Sequence, residues 1–148
     1  MMDTNTLARI QLFADLAEEE LEKILGLLHR LEVQPEQEIV VEGETGQRLY
    51  IIVEGTAQVR QVLDTDRSKV LATLGKGNFF GELALLDSGP RSASVVSVSP
   101  CELYYLDRDE FMELLRQHPE MALKLAQTLA GRLRRANRQI RDLSLYSL

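Results

Sequence analysis

Apolar residues recur every three or four positions at the start of the chain. Leu7, Ile10, Phe13 (or Leu12), Leu16, Leu21, Ile24, Leu25 and Leu28 predict helical structure over residues 4–31. Asp15 is placed to cap a second helix, with Glu18, Glu19 and Glu20 favourably set in its early turns. From Val33 the period changes. The stretch "EIVVEGETGQRLYIIVEGTAQV" is rich in β-branched residues and is broken by glycines at 43, 46 and 55. "VRQVL" and "KVLATL" read as strands joined by the turn "DTDRS". "SASVVSVS" and "CELYYLD" read as two more, split by Pro100. Short strands at near-regular spacing predict an antiparallel sandwich or jelly roll over residues 33–107.

Helical periodicity returns over residues 108–148. "RDEFMELLRQHP" is one helix, and Pro119 opens the next. In that last segment Ala122, Ala126, Leu129, Leu133, Ala136, Ile140 and Leu143 follow 4-3-4-3-4-3 spacing. This is a heptad seam, suited to pairing with the same helix of a second chain. Packing on the chain's own sheet competes for the first half of the seam. Arginines at 132, 134, 135, 138 and 141 crowd the second half. The fold class expected is α+β, an antiparallel β-roll between N-terminal helices (1–31) and a long C-terminal helix.

Composition narrows the function. The 148 residues suit one domain, with 45% hydrophobic and 27% charged residues. The formal net charge of −6 argues against this chain itself binding nucleic acid, which needs a basic surface. Cys101 is the single cysteine, so an internal disulfide is excluded; it reads as a small core residue rather than a reactive thiol. The start carries no signal-peptide pattern, and no apolar run approaches a membrane span. A cytoplasmic protein without a membrane partner is the expectation.

The stretch "FFGELALLDSGPRSASV", residues 79–95, carries the candidate chemistry. Gly81 permits a tight turn or a close approach to a ligand. "ELALL" is a short helix former whose leading N–H groups, from Gly81 through Glu82 and Leu83 to Ala84, suit an anion. Arg91 supplies a permanently charged fork for phosphate oxygens, and Ser92 a hydroxyl. Glu82 would be repelled by a phosphate unless it accepts from another part of the ligand, such as a sugar hydroxyl. One phosphate and one ribose hydroxyl close together describe a cyclic mononucleotide. Singly, each residue has a plainer use. Glu82 suits a helix's first turn, Arg91 a surface turn, and Ser92 a solvent-facing strand position.

As a whole, "FGELALL…PRSASV" resembles the phosphate-binding cassette of the cyclic nucleotide-binding domain family. "VVEGETGQRLYIIVEGTAQV" looks like that family's glycine-punctuated strands. "LFADLAEEELEKI" and "LAGRLRRANRQIRDL" look most like the bacterial Crp/Fnr regulators. The resemblance covers nearly the whole chain and implies an eight-stranded β-roll. It implies that Glu82 binds the ribose 2′-hydroxyl, while Arg91, Ser92 and the N–H groups from Gly81 to Ala84 bind the phosphate. The last helix would form a homodimer and reach the base through Arg132 and Asn137, beside the seam. Asn137 offers both a donor and an acceptor, as adenine recognition needs. Serine rather than threonine at position 92 leans toward cyclic AMP over cyclic GMP. Crp/Fnr regulators contact DNA through a helix-turn-helix, and these 148 residues hold none. A sensor fragment is therefore the first reading, a stand-alone module or a sensor of another small molecule the second.

Catalysis is not expected. Metal-dependent β-rolls need several histidines on strands, and only His29 and His118 exist, both in segments read as helical. Cys101 alone cannot hold an iron–sulfur cluster. No resident cofactor or metal is expected.

Overall fold

Asp3 opens α1 (Thr4–Ala8), its carboxylate accepting the Thr6 N–H at 2.8 Å. A 3₁₀ turn (Gln11–Phe13) and α2 (Glu18–Leu27) follow. Next come strands β1 (His29–Val33), β2 (Glu38–Val40), β3 (Arg48–Glu54), β4 (Ala57–Val62), β5 (Ser68–Leu74) and β6 (Phe79–Phe80). After α3 (Glu82–Asp87) the chain adds β7 (Ser94–Ser97), β8 (Cys101–Asp107), α4 (Arg108–Gln117) and α5 (Pro119–Tyr146). This computed structural model describes residues 2–146, with side chains described as far as Asp142, so the Leu143 side chain of the seam lies outside the described residues.

The strands form two antiparallel four-stranded sheets, ordered β1-β8-β3-β6 and β2-β7-β4-β5. β3 is the hinge of the core. Leu49, Ile51 and Val53 face the helices, where they meet Leu7, Phe13, Ile24, Phe111 and Met121. Tyr50 and Ile52 face the second sheet, in a cluster with Val40 and Val95 of that sheet and with Cys101 and Leu103 of the neighbouring β8. A strand buried on both faces reads as an unbroken apolar run, which is why "LYIIV" shows no alternation. Cys101 is a core residue as expected, and burial pushes its thiol pKa up.

Three local expectations are corrected. The N-cap of α2 is Ala17, not Asp15. The Glu20 carboxylate, three residues on, reaches back to the Ala17 N–H at 3.1 Å, while Asp15 pairs with Lys124 at 3.1 Å. The N-terminal helices end at Leu27 rather than residue 31, so the β-roll starts at His29 and not at 33. Residues His29 to Val33 pair with Tyr105 to Cys101; His29 stacks on Tyr105 at 4.9 Å and Arg30 reaches Glu102 at 3.2 Å. These cross-strand contacts outweigh the weak helical pattern of a short polar segment. Neither histidine is therefore within a helix: His29 is on β1, and His118 is the C-cap of α4.

Asp107 precedes α4, and its N–H donates to Glu110 at 3.0 Å. α5 packs on the chain through Met121 and Leu125, with Leu129 partly buried. The seam residues Ala122, Ala126, Leu133, Ala136 and Ile140 stay exposed, Leu133 by 62% and Ile140 by 61%. Nothing stands near Gly131 that would require a glycine there. No described helix is long and apolar enough to cross a membrane.

Candidate functional site

β6 delivers the chain to Gly81, whose φ of +96° lies in the left-handed region. A Cβ there would stand 2.7 Å from both the Arg48 carbonyl oxygen and Arg91 Nη1. α3 starts at Glu82, and its leading N–H groups have no acceptor within the helix. The helix stops at Ser88 (φ +59°), where Asp87 accepts the Gly89 N–H at 2.8 Å. Pro90 bridges to Thr45, the Arg91 N–H donates to the Glu44 carbonyl at 2.7 Å, and the Arg91 carbonyl accepts the Gly43 N–H at 2.8 Å. The backbone of Arg91 is thus clamped by the 43–45 turn.

The Arg91 side chain turns inward and is 8% exposed. Nη1 donates to the Gly81 carbonyl at 2.8 Å, and Nη2 to the Arg48 carbonyl at 2.9 Å. These are neutral partners, and no carboxylate pairs with it among the described residues. Burial lowers its pKa, opposed by the nearby Tyr50 and Glu82. A guanidinium nonetheless stays charged. A buried cation held only by carbonyl dipoles is an anion receptor built in advance.

Glu82, the residue after Gly81, is 3% exposed. Its carboxylate accepts a short hydrogen bond from Arg132 Nη1 of α5. Arg132 Nη2 also donates to the Phe79 carbonyl at 3.3 Å, and the guanidinium carbon lies 5.2 Å from the Phe79 ring centroid. One glycine therefore separates an unpaired buried cation from a buried carboxylate held by a third, partly exposed charge. A cavity of about 170 Å³ opens beside Arg91, walled by Val40, Thr45, Arg48 and Tyr50. A second cavity, of about 180 Å³, lies elsewhere against Thr6, Arg9, Ile10 and Lys76 and includes neither Glu82 nor Arg91.

Residues 30–118, more than half of the chain, match the family described as the cyclic nucleotide-binding domain. The chain belongs to the cyclic nucleotide-binding domain family. It is 38% identical over 133 residues to a cyclic AMP receptor protein of Thermus thermophilus, covering 90% of this chain and 62% of that protein. It is 31% identical over 144 residues to a putative potassium channel protein of Rhodopseudomonas palustris, covering 97% of this chain and 34% of that one. Among solved structures, the catabolite activator protein of Thermus thermophilus superposes with a TM-score of 0.82 at 38% identity, over 90% of this chain and 63% of that chain. The chain thus spans less than two thirds of these relatives.

Within this cyclic nucleotide-binding domain the expected site residues divide. Gly81, Glu82, Ala84 and Arg91 come together around the start of α3, with Ala84 buried. Leu83 is on that helix too, but its side chain is 49% exposed. Ser92 is exposed, and its carbonyl accepts from Gln61 at 3.4 Å. Arg132, expected at the base, donates from α5 to the Glu82 carboxylate. Asn137 is exposed, five residues along α5, about 7.5 Å further from the anchored turn.

Sequence reading missed two contributors. In the sequence Gly46 reads only as a break between strands. A Cβ there would stand 2.6 Å from Ala84 Cβ and 2.8 Å from Arg91 Cζ, so the site needs a residue without a side chain. The Arg48 carbonyl is the other, and backbone atoms leave no residue-type signal. The glycine pair in "GETG" was the available hint.

Proposed function

We propose that this domain binds cyclic AMP, in preference to cyclic GMP, as the sensor of a cytoplasmic Crp/Fnr-type transcriptional regulator. The observation that carries the reading is Arg91, a buried guanidinium beside the start of α3 with no carboxylate partner among the described residues. The cyclic phosphate would take Arg91, Ser92 and the N–H groups from Gly81 to Ala84. The ribose 2′-hydroxyl would donate to Glu82, which Arg132 already orients. The role is binding, not catalysis. The exposed α5 seam would pair with that of a second chain in a parallel two-fold dimer, placing Asn137 near the adenine. Any DNA contact would come from outside these acidic 148 residues.

The similarity to a channel protein over 97% of the chain favours a second reading, a regulatory module for another effector. Ligand binding would then be retained and the helix-to-helix dimer would be absent.

Calorimetry of the chain with cyclic AMP and cyclic GMP tests the ligand. Arg91→Ala removes charge-assisted hydrogen bonds worth roughly 1.5–3 kcal/mol each, so affinity should fall tenfold or more. Binding of neither nucleotide by the wild type would reject the reading, as would an unaltered affinity in a folded Arg91→Ala.

A further inference from the structure

Outside the nucleotide pocket, three potential ligand side chains meet where the N-terminal and C-terminal helices touch. His118 caps α4, Glu120 lies in the first turn of α5, and Glu20 comes from α2. His118 Nδ1 is 2.5 Å from Glu20 Oε2 and 3.6 Å from Glu120 Oε1, and the three donor atoms all lie within 4.8 Å of one another. We infer that Glu20, His118 and Glu120 form a site for one divalent transition-metal ion such as zinc.

Three features favour an ion over a simple hydrogen bond. The first is charge. Two carboxylates face one imidazole, so the cluster stays negative whether His118 is protonated or not. A divalent cation cancels that excess. The second is orientation. Glu20 Oε1 is already fixed by the Ala17 N–H at 3.1 Å, leaving Oε2 to point at His118. Ligating carboxylates are commonly anchored in this way by an outer hydrogen bond. The third is rigidity. The His118 N–H donates to the Leu114 carbonyl and its own carbonyl accepts the Met121 N–H, both at 2.9 Å. The imidazole therefore projects from a fixed joint between two helices, and its side chain is only 14% exposed.

The donor set matches zinc chemistry. Bonds of about 2.0–2.2 Å in a tetrahedral arrangement put donors roughly 3.3 Å apart. The present separations bracket that value, and small side-chain rotations would equalise them. One imidazole and two carboxylates leave a fourth position for water. Binding requires Nδ1 of His118 to present its lone pair rather than a proton. The bound ion would clamp α2 to the start of α5, the helix that carries Arg132.

Zinc titration of the full chain against a chromogenic chelator tests the site, without nucleotide present. Its outcome is therefore separate from that of the nucleotide reading. One equivalent of zinc should bind the wild type and raise its Tm. Affinity should drop at least tenfold in His118→Ala, and several-fold in Glu120→Gln. Glu120 is 44% exposed, so that variant reports even where His118→Ala folds poorly. A second group, His29, Asp107 and Glu110, is more open, and His29→Ala serves as the control that should leave zinc binding intact. No zinc binding by the wild type, equal affinity in the His118 and Glu120 variants, or loss only in His29→Ala would each overturn the assignment.

Discussion

The Arg132 guanidinium of α5 hydrogen-bonds the buried Glu82 carboxylate of α3, fifty positions earlier in the chain. The pair ties the long helix to the nucleotide cassette at the residue proposed to hold the ribose. A ligand hydroxyl arriving at Glu82 would therefore compete with, or share, the contact that holds α5. A ligand shifts such an equilibrium only through its differential affinity for the two arrangements.

The pair should show as a coupling energy. Arg132→Gln strands a carboxylate that is 3% exposed, at a cost of about 1–3 kcal/mol. Glu82→Gln removes that penalty. A double-mutant cycle followed by urea unfolding should give a coupling of about 1–3 kcal/mol. A value near zero would mean that the contact does not hold the helix.

Gly46→Ala should damage ligand binding through Arg91 without touching the ligand. The added methyl meets Ala84 Cβ at 2.6 Å and Arg91 Cζ at 2.8 Å. Overpacking typically costs about 1–3 kcal/mol, a few degrees in Tm at this size. The displaced guanidinium should lower cyclic AMP affinity tenfold or more. Paired calorimetry and thermal unfolding decide it, and wild-type values in both would show that Arg91 tolerates movement.

Selectivity among analogues isolates Glu82. Cyclic AMP lacking the 2′-hydroxyl leaves the carboxylate without its donor, which costs about 1–3 kcal/mol. The deoxy analogue should therefore bind about five- to 150-fold more weakly in competition calorimetry. Equal affinities would reduce Glu82 to a partner of Arg132 alone.

Leu133→Glu separates the dimer from the fold. Leu133 is 62% exposed in the single chain, so the change should leave the monomer's stability nearly unaltered. In a paired seam the same charge would be buried against its copy. Sedimentation should give a dimer for the wild type and a monomer for the variant. Two dimers would exclude α5 as the interface, and two monomers at all accessible concentrations would favour the stand-alone module.

The order of helices and strands was legible in the sequence wherever it rests on local repetition. The 3.6 and 2.0 periods respond to burial of one face, and that face is set by residue type. The cassette was legible for a related reason. Gly81, Glu82 and Arg91 lie within eleven consecutive residues, where a left-handed turn, a helix start and a charged fork each have a residue-type signature. Other features depended on partners distant in the chain. His29 to Val33 became a strand because β8 offers a ladder some seventy residues later. The Arg132–Glu82 contact exists because folding brings α5 within reach of a residue fifty positions earlier. Gly46 became part of the site because folding sets Arg91 against it. The sequence by itself determined where the cassette's glycine, carboxylate and guanidinium stand along the chain. Only the tertiary structure decided which buried charge is left unpaired, because pairing depends on distances that the chain's own order does not encode.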